Sequence, residues 1–94
     1  MRNITVEELL KYDNLNIIDI RSEQSYNNNH IPGSINIPYT KLSIDPNKYL
    51  ERGKKYYIYC QRGITSSKLC SYLLTLGFNV VNILGGYEEW IMKK

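Results

Sequence analysis

The chain has 94 residues, 43% of them apolar and 22% charged. That is enough for one domain with its own core, and it excludes disordered, collagen-like and coiled-coil chains. Net charge is only +3, from 12 basic and 9 acidic residues, and the densest basic runs are the pairs Lys54-Lys55 and Lys93-Lys94, so no nucleic-acid-binding face is expected.

In chain order, Thr5-Val6-Glu7-Glu8 has the form of a capping box, with Thr5 as N-cap and Glu8 reaching back. A short helix is predicted to run to about Lys11, with Leu9 and Leu10 inward. Asn16 to Ile20 reads as a buried strand, because Ile17, Ile18 and Ile20 are β-branched. Ser22 caps a turn of helix through Tyr26, and Asn27-Asn28-Asn29 is turn chemistry. Ile35-Asn36-Ile37 is a short strand closed by Pro38. Tyr39 to Ser43 is expected to be a helical turn, Asp45-Pro46 a break, and Asn47 to Glu51 a second turn before Gly53. Tyr56 to Tyr59 is the clearest strand and ends on Cys60. A loop follows, then a helix from about Thr65 to Leu76, with Leu69, Leu73 and Leu76 on one apolar face and Gly77 as its stop. Asn79 to Ile83 is a strand, apolar at Val80, Val81 and Ile83. Gly85-Gly86 turns the chain into a last helix, Tyr87 to Met92. Strands alternating with helices argue for a parallel sheet covered on both faces.

No apolar run approaches the ~20 residues of a membrane span. The first residues, Met1 to Glu8, carry charge where a signal peptide needs an apolar core, so a cytoplasmic chain is expected. Two cysteines make no disulfide scaffold, and reducing surroundings keep them as thiols. One histidine and no Cys-x-x-Cys leave a structural zinc site without ligands.

In a parallel sheet, ligands bind outside the carboxyl ends of the strands. Cys60 is predicted at such an end, just before a helix N-terminus. There the backbone N–H groups point outward and the helix dipole adds roughly half a positive charge, both of which favour thiolate over thiol. Gly63 lets the loop curl its N–H groups toward one point, as in an anion nest, and Arg62 adds full positive charge. Such a sulfur suits a covalent intermediate. Local physics alone leaves a second reading open, in which Cys60 is a small buried residue ending a strand.

Three stretches carry a resemblance. Asp19-Ile20-Arg21 closes a strand, followed by Glu23-x-x-Tyr26 and by His30-Ile31-Pro32-Gly33-Ser34-Ile35-Asn36-Ile37-Pro38. This closely resembles the first signature of rhodanese domains. Cys60-Gln61-Arg62-Gly63-Ile64-Thr65-Ser66 looks like the rhodanese active-site loop, and Gly85-Gly86-Tyr87-Glu88-Glu89-Trp90 is similar to the closing motif. The resemblance implies an α/β fold in which a parallel five-stranded sheet carries helices on both faces, one rhodanese-like domain over residues 1–94. It implies a cofactor-free sulfurtransferase in which Cys60 takes a sulfane sulfur as a persulfide. The donor would be a small anion such as thiosulfate, or a persulfide. The acceptor would be cyanide or a thiol, with a sulfur-relay protein as a further partner class. The N–H groups from Gln61 to Ser66 (Gln61, Arg62, Gly63, Ile64, Thr65, Ser66) would hold the donor.

The loop departs from the family pattern at one place. Many active members read Cys-x-x-Gly-x-Arg, whereas the sixth position here is Thr65 and the nearest loop arginine is Arg62, at the third. That lowers the expectation for thiosulfate as donor. Related phosphatases use a loop one residue longer with arginine six positions after the cysteine. Ser66 stands there, and a phosphoryl dianion without a guanidinium clamp is disfavoured. A non-catalytic module for partner binding or redox sensing is the remaining rival.

Other side chains are weighed against plainer roles. Cys70 is expected to be a core thiol, and His30 to brace its loop through a hydrogen bond rather than act as a base. Asp19 is expected to be an acceptor for backbone or for Arg21, the pair supporting the site. Tyr87 and Trp90 are expected to pack the last helix. The nine tyrosines are spread too widely for a base-stacking platform.

Overall fold

The computed structural model describes residues 2–94, with Met1 outside the described residues. Its elements alternate strand and helix: β1 (Asn3–Ile4), α1 (Val6–Leu9), β2 (Ile17–Asp19), α2 (Glu23–Asn28), β3 (Ser34–Asn36), the consecutive helices α3 (Tyr39–Ile44) and α4 (Pro46–Tyr49), β4 (Lys55–Tyr59), α5 (Ile64–Thr75), β5 (Asn79–Ile83) and α6 (Gly86–Lys93). All pairings are parallel, in the order β1-β5-β4-β2-β3, so the sheet is five-stranded with β4 at its centre.

The central strand shows why both faces are covered. Side chains alternate along a strand. Tyr56 and Ile58 enter one apolar cluster with Leu42, Leu50, Leu69, Leu73 and Val80, residues of the α3–α4 segment, α5 and β5. Tyr59 enters the opposite cluster with Val6, Leu9, Ile31, Ile83, Tyr87 and Trp90, from the α1 and α6 side. Strands β4 and β5 place buried apolar side chains on both faces, as a sheet covered on both sides requires.

Several sequence expectations are corrected. The strand β1 was not foreseen; two residues are too few to carry a periodicity, and pairing with β5 makes the strand. The capping box at Thr5 forms, with mutual Thr5–Glu8 hydrogen bonds, but α1 stops at Leu9, and Leu10 points outward at 51% exposure. Asn27 and Asn28 lie in α2 rather than a turn, with Ser22 capping the helix start through Ser25 N–H. In α5 Leu69 and Leu73 are buried, while Leu76, at the C-cap, is 37% exposed. Helix α5 stops where Gly77 takes φ +91°, the left-handed conformation that a glycine adopts without strain. Among the described residues no helix is long and apolar enough to cross a membrane.

Candidate active site

Cys60 follows the last residue of β4, at the carboxyl edge of the central strand, and the next three residues lead into α5. Gly63 occupies the N-cap with φ +88°, so the chain turns sharply at that point. The turn directs two backbone donors at one atom. Gly63 N–H donates to Cys60 Sγ at 3.1 Å and Ser66 N–H donates to it at 3.2 Å. Ile64 and Thr65 are the first residues of α5, whose N–H groups have no intrahelical acceptor, and no side chain caps this end. The sulfur lies at the base of a pocket of about 310 Å³ lined by Cys60, Gln61, Arg62, Ile64 and Thr65. Arg62 and Thr65 are exposed at its mouth, and Cys60 itself is buried.

The loop is held from behind by the start of α6. Tyr87 N–H donates to the Cys60 carbonyl at 2.9 Å, and Glu88 N–H to the Gln61 carbonyl at 3.0 Å. This close approach demands glycine on both sides. A Cβ on Gly63 would stand 2.9 Å from Gly85 N, and one on Gly86 would meet the Cys60 carbonyl oxygen and the Gly63 nitrogen. Gly85-Gly86 was expected to turn the chain into the last helix and to open the closing motif, with no contact to the Cys60 loop foreseen. The consecutive glycines before a helix were the available signal of a close backbone contact.

Gln61 belongs to the loop, but its side chain turns sideways. Its Oε1 accepts from Arg21 Nη1 at 3.3 Å, and its Nε2 donates to Glu88 Oε2 at 3.3 Å. Arg21 in turn is bound to both oxygens of Asp19, donates to the Asn29 carbonyl at 2.6 Å, and lies 4.0 Å over the Tyr87 ring. Burial works against the guanidinium charge, and the adjacent Asp19 carboxylate overrides it, so Arg21 is held above its ordinary value. Asp19 is fully buried and accepts from Arg21 N–H at 2.8 Å and from Tyr59 Oη–H at 2.6 Å. Burial, reinforced by that bond to Asp19, pushes the Tyr59 phenol upward. Asp19 and Arg21 therefore reach the loop through Gln61 and Tyr87 and do not line the pocket. His30 is occupied elsewhere. Its Nδ1 is hydrogen-bonded to the Tyr26 carbonyl at 2.8 Å, and its ring stacks on Tyr26 at 3.8 Å.

Ser66 was expected to contribute its N–H, and its side chain faces the sulfur as well. Cys60 Sγ–H donates to Ser66 Oγ at 3.3 Å, and Ser66 Oγ–H donates to Asn82 Oδ1 at 2.6 Å. Asn82 was missed. The signal for it was a lone polar residue inside the apolar run of β5. Cys70 lies on α5 in the same buried cluster as Cys60. Burial, with the nearby Cys60 charge, pushes its thiol up to about 12. Among the described residues no group of three or more His, Cys, Asp and Glu side chains could hold a metal ion.

A cysteine at the end of the central parallel strand, inside a loop of converging amides, defines a class of α/β domains with an anion nest at the carboxyl edge of the sheet. Within that class the chain belongs to the rhodanese-like domain family, whose model matches residues 4–93. It is similar to thiosulfate sulfurtransferase GlpE of Coxiella burnetii, with 31% identity over 84 residues, 88% of this chain and 78% of that protein. Among solved structures it resembles a rhodanese-related protein from Thermoplasma volcanium, with TM-score 0.90 and 33% identity over 99% of this chain and 93% of that one. A rhodanese-like domain protein from Staphylococcus aureus superposes with TM-score 0.83 and 31% identity, over 96% and 91% of the two chains.

Proposed function

We propose that the protein is a sulfurtransferase that carries a sulfane sulfur as a persulfide on Cys60. The observation that carries this reading is the convergence of Gly63 N–H and Ser66 N–H on Cys60 Sγ at the base of an open pocket. Two aimed donors and a helix N-terminus stabilise the Cys60 thiolate and, once sulfur is loaded, lie beside the charged outer sulfur of the persulfide. The GlpE relative is named for transfer from thiosulfate, which supports the same chemistry here.

With thiosulfate as donor, the Cys60 thiolate attacks the outer, sulfane sulfur. A new S–S bond forms to Cys60, the S–S bond of thiosulfate breaks, and sulfite leaves with the electron pair. The product, Cys60–S–S⁻, keeps its terminal charge against the N-terminal turn of α5. Cyanide or a thiolate then attacks that outer sulfur, and the Cys60 thiolate leaves with the bonding pair. The mouth holds one full positive charge, Arg62, beside the neutral Thr65 and the apolar Ile64. Donor capture rests on Arg62 and on the helix amides of Ile64 and Thr65. A small anion or a persulfide fits this pocket. A phosphoryl dianion is a poor match, because Ser66, at the position where related phosphatases carry arginine, is fully buried and engaged with Cys60 and Asn82.

The test is intact mass before and after incubation with thiosulfate, followed by cyanide. The expected result is the gain of one sulfur atom on the peptide containing Cys60, its discharge by cyanide, and no gain in Cys60→Ser. Cys70→Ser should load normally, because the Cys70 thiol lies in the core and is pushed up to about 12 by burial. A wild-type protein that accepts sulfur from neither thiosulfate nor a low-molecular-weight persulfide would favour a binding or redox-sensing module instead.

A further inference from the structure

Strand β5 is apolar at Val80, Val81 and Ile83 and polar at Asn82, which is 2% exposed. A buried amide in the middle of a core strand needs partners for both of its ends. Its Oδ1 takes the Ser66 hydroxyl proton at 2.6 Å. Its Nδ2 donates toward Asn3 Oδ1 at 3.4 Å, across the register pair Asn3–Asn82 of β1 and β5. Ser66 is fully buried, and its Oγ also accepts the Cys60 thiol proton. The four side chains thus form one line, Cys60–Ser66–Asn82–Asn3, with every hydrogen bond pointing away from the sulfur.

That polarity suits a thiol and opposes an anion. Once Cys60 has lost its proton, the best use of the Ser66 hydroxyl is to donate to sulfur. Turning it leaves Asn82 Oδ1 buried without a donor, which is costly. An asparagine removes the conflict because its two ends have nearly the same shape. Rotating the amide by half a turn presents Nδ2 to Ser66 Oγ and Oδ1 to Asn3. Asn3 is exposed, so its own amide follows without cost in buried polar groups.

We propose that Asn82 is a positioning residue that decides whether the Ser66 hydroxyl serves the Cys60 sulfur, and that its amide reverses when the sulfur becomes anionic. Asn82 acts on Cys60 only through Ser66. The inference rests on Cys60 as the reacting nucleophile. The titratable groups that face the sulfur are Arg62 at the pocket mouth and, in the core behind it, the Cys70 thiol, which burial keeps protonated.

The test is the rate of iodoacetamide alkylation of the Cys60 peptide against pH, with thermal melting in parallel. Alkylation needs no sulfur donor, so it reads the sulfur even if persulfide loading fails. Asn82→Leu keeps the number and branching of the side-chain heavy atoms and removes both ends of the amide, so no Nδ2–H can brace the Ser66 oxygen while its hydroxyl donates to sulfur. The midpoint should rise by up to about one pH unit, because the charge-assisted bond from Ser66 to the thiolate loses the amide donor that reinforces it. A fall would mean that the amide stays unreversed and would overturn the proposal. Ser66→Ala should raise the midpoint. In the Ser66→Ala background, Asn82→Leu should shift it no further. If Asn82→Leu does not fold, Asn82→Val, β-branched and suited to a strand, carries the same expectation. A variant with a lower melting temperature and an unmoved midpoint would reduce Asn82 to a structural brace and overturn the proposal. So would a shift that persists in full without the Ser66 hydroxyl.

Discussion

Gly86 lies so close to Cys60 that a Cβ on the glycine would collide with the Cys60 carbonyl oxygen. The next residue, Tyr87, donates its N–H to that same oxygen at 2.9 Å. The start of α6 is therefore the back wall of the loop that presents the sulfur, although 26 positions separate the two residues in sequence.

Gly86→Ala should be damaging out of proportion to one methyl group. Gly86 has φ +60° as well as the contact with Cys60. Backbone must move, because none of the atoms it meets is a flexible side chain. A loss of about 2 kcal/mol or more is expected from strain of this kind. Sulfur transfer should fall by more than tenfold, since a displaced Cys60 carbonyl carries the sulfur with it. Chemical denaturation and steady-state kinetics check both, and a variant with unchanged kcat/KM would detach α6 from the site.

Under the proposed sulfur-transfer reading, Arg62 is the charged group at the pocket mouth that would attract the donor, and Thr65 beside it is neutral. A charge-assisted hydrogen bond contributes about 1.5–3 kcal/mol, against roughly 1 for a neutral one. Arg62→Ala should therefore raise KM for thiosulfate by about five- to thirty-fold with little change in kcat. Thr65→Arg should lower it. Both are read at fixed ionic strength, because the attraction is screened. If neither variant changes kcat/KM, the backbone amides alone bind the donor, and a persulfide becomes the better candidate than a dianion.

The Asp19–Arg21 pair should resist simplification. The side chains are 0% and 7% exposed, with Nη2 and Oδ2 2.8 Å apart. Removing one member strands a buried charge, at a typical cost of about 3–5 kcal/mol. Asp19→Asn should thus lower the melting temperature far more than removal of the exposed Lys54–Glu51 pair. Arg21→Met keeps the stem and loses the contact to Gln61. Activity should fall in the protein that remains folded, measured well below its melting point. Wild-type turnover there would leave Gln61 without a role in holding the loop.

Alkaline stability should carry the signature of Cys70. Burial raises its folded-state value to about 12, above the ordinary thiol value of 9.0. A raised value means the folded state holds its proton where the unfolded state releases it. The associated stability is fully present below about pH 9 and is lost as pH rises toward about 12. The Tyr59 phenol, raised above 10.0 by burial and by its bond to Asp19, acts in the same direction at higher pH. Urea unfolding from pH 7 upward should show this decline, and Cys70→Ala should flatten its first part. An unchanged slope would mean the core opens enough to ionise the thiol in place.

What was legible in the sequence is what local chemistry dictates. The capping box at Thr5 and Glu8 formed because both partners are three residues apart. The run Asn79 to Ile83 formed a strand at the expected residues, because Val80, Val81 and Ile83 are β-branched and put apolar side chains on both faces. The position of Cys60 between a central strand and a helix start followed from the apolar run before it and the helical spacing of Leu69 and Leu73 after it. Tertiary structure decided the rest. The two residues of β1 become a strand only because β5 offers them a hydrogen-bonding edge. Leu10 and Leu76 point outward because their helices end before the next inward turn. Gln61 faces Arg21 and Glu88, and Ser66 faces Asn82, because β2, α6 and β5 bring those partners from distant parts of the chain. Spacing along the chain encodes which residues can share a helix face or a strand face. It does not encode which buried donor will find which acceptor, since that depends on how the layers stack.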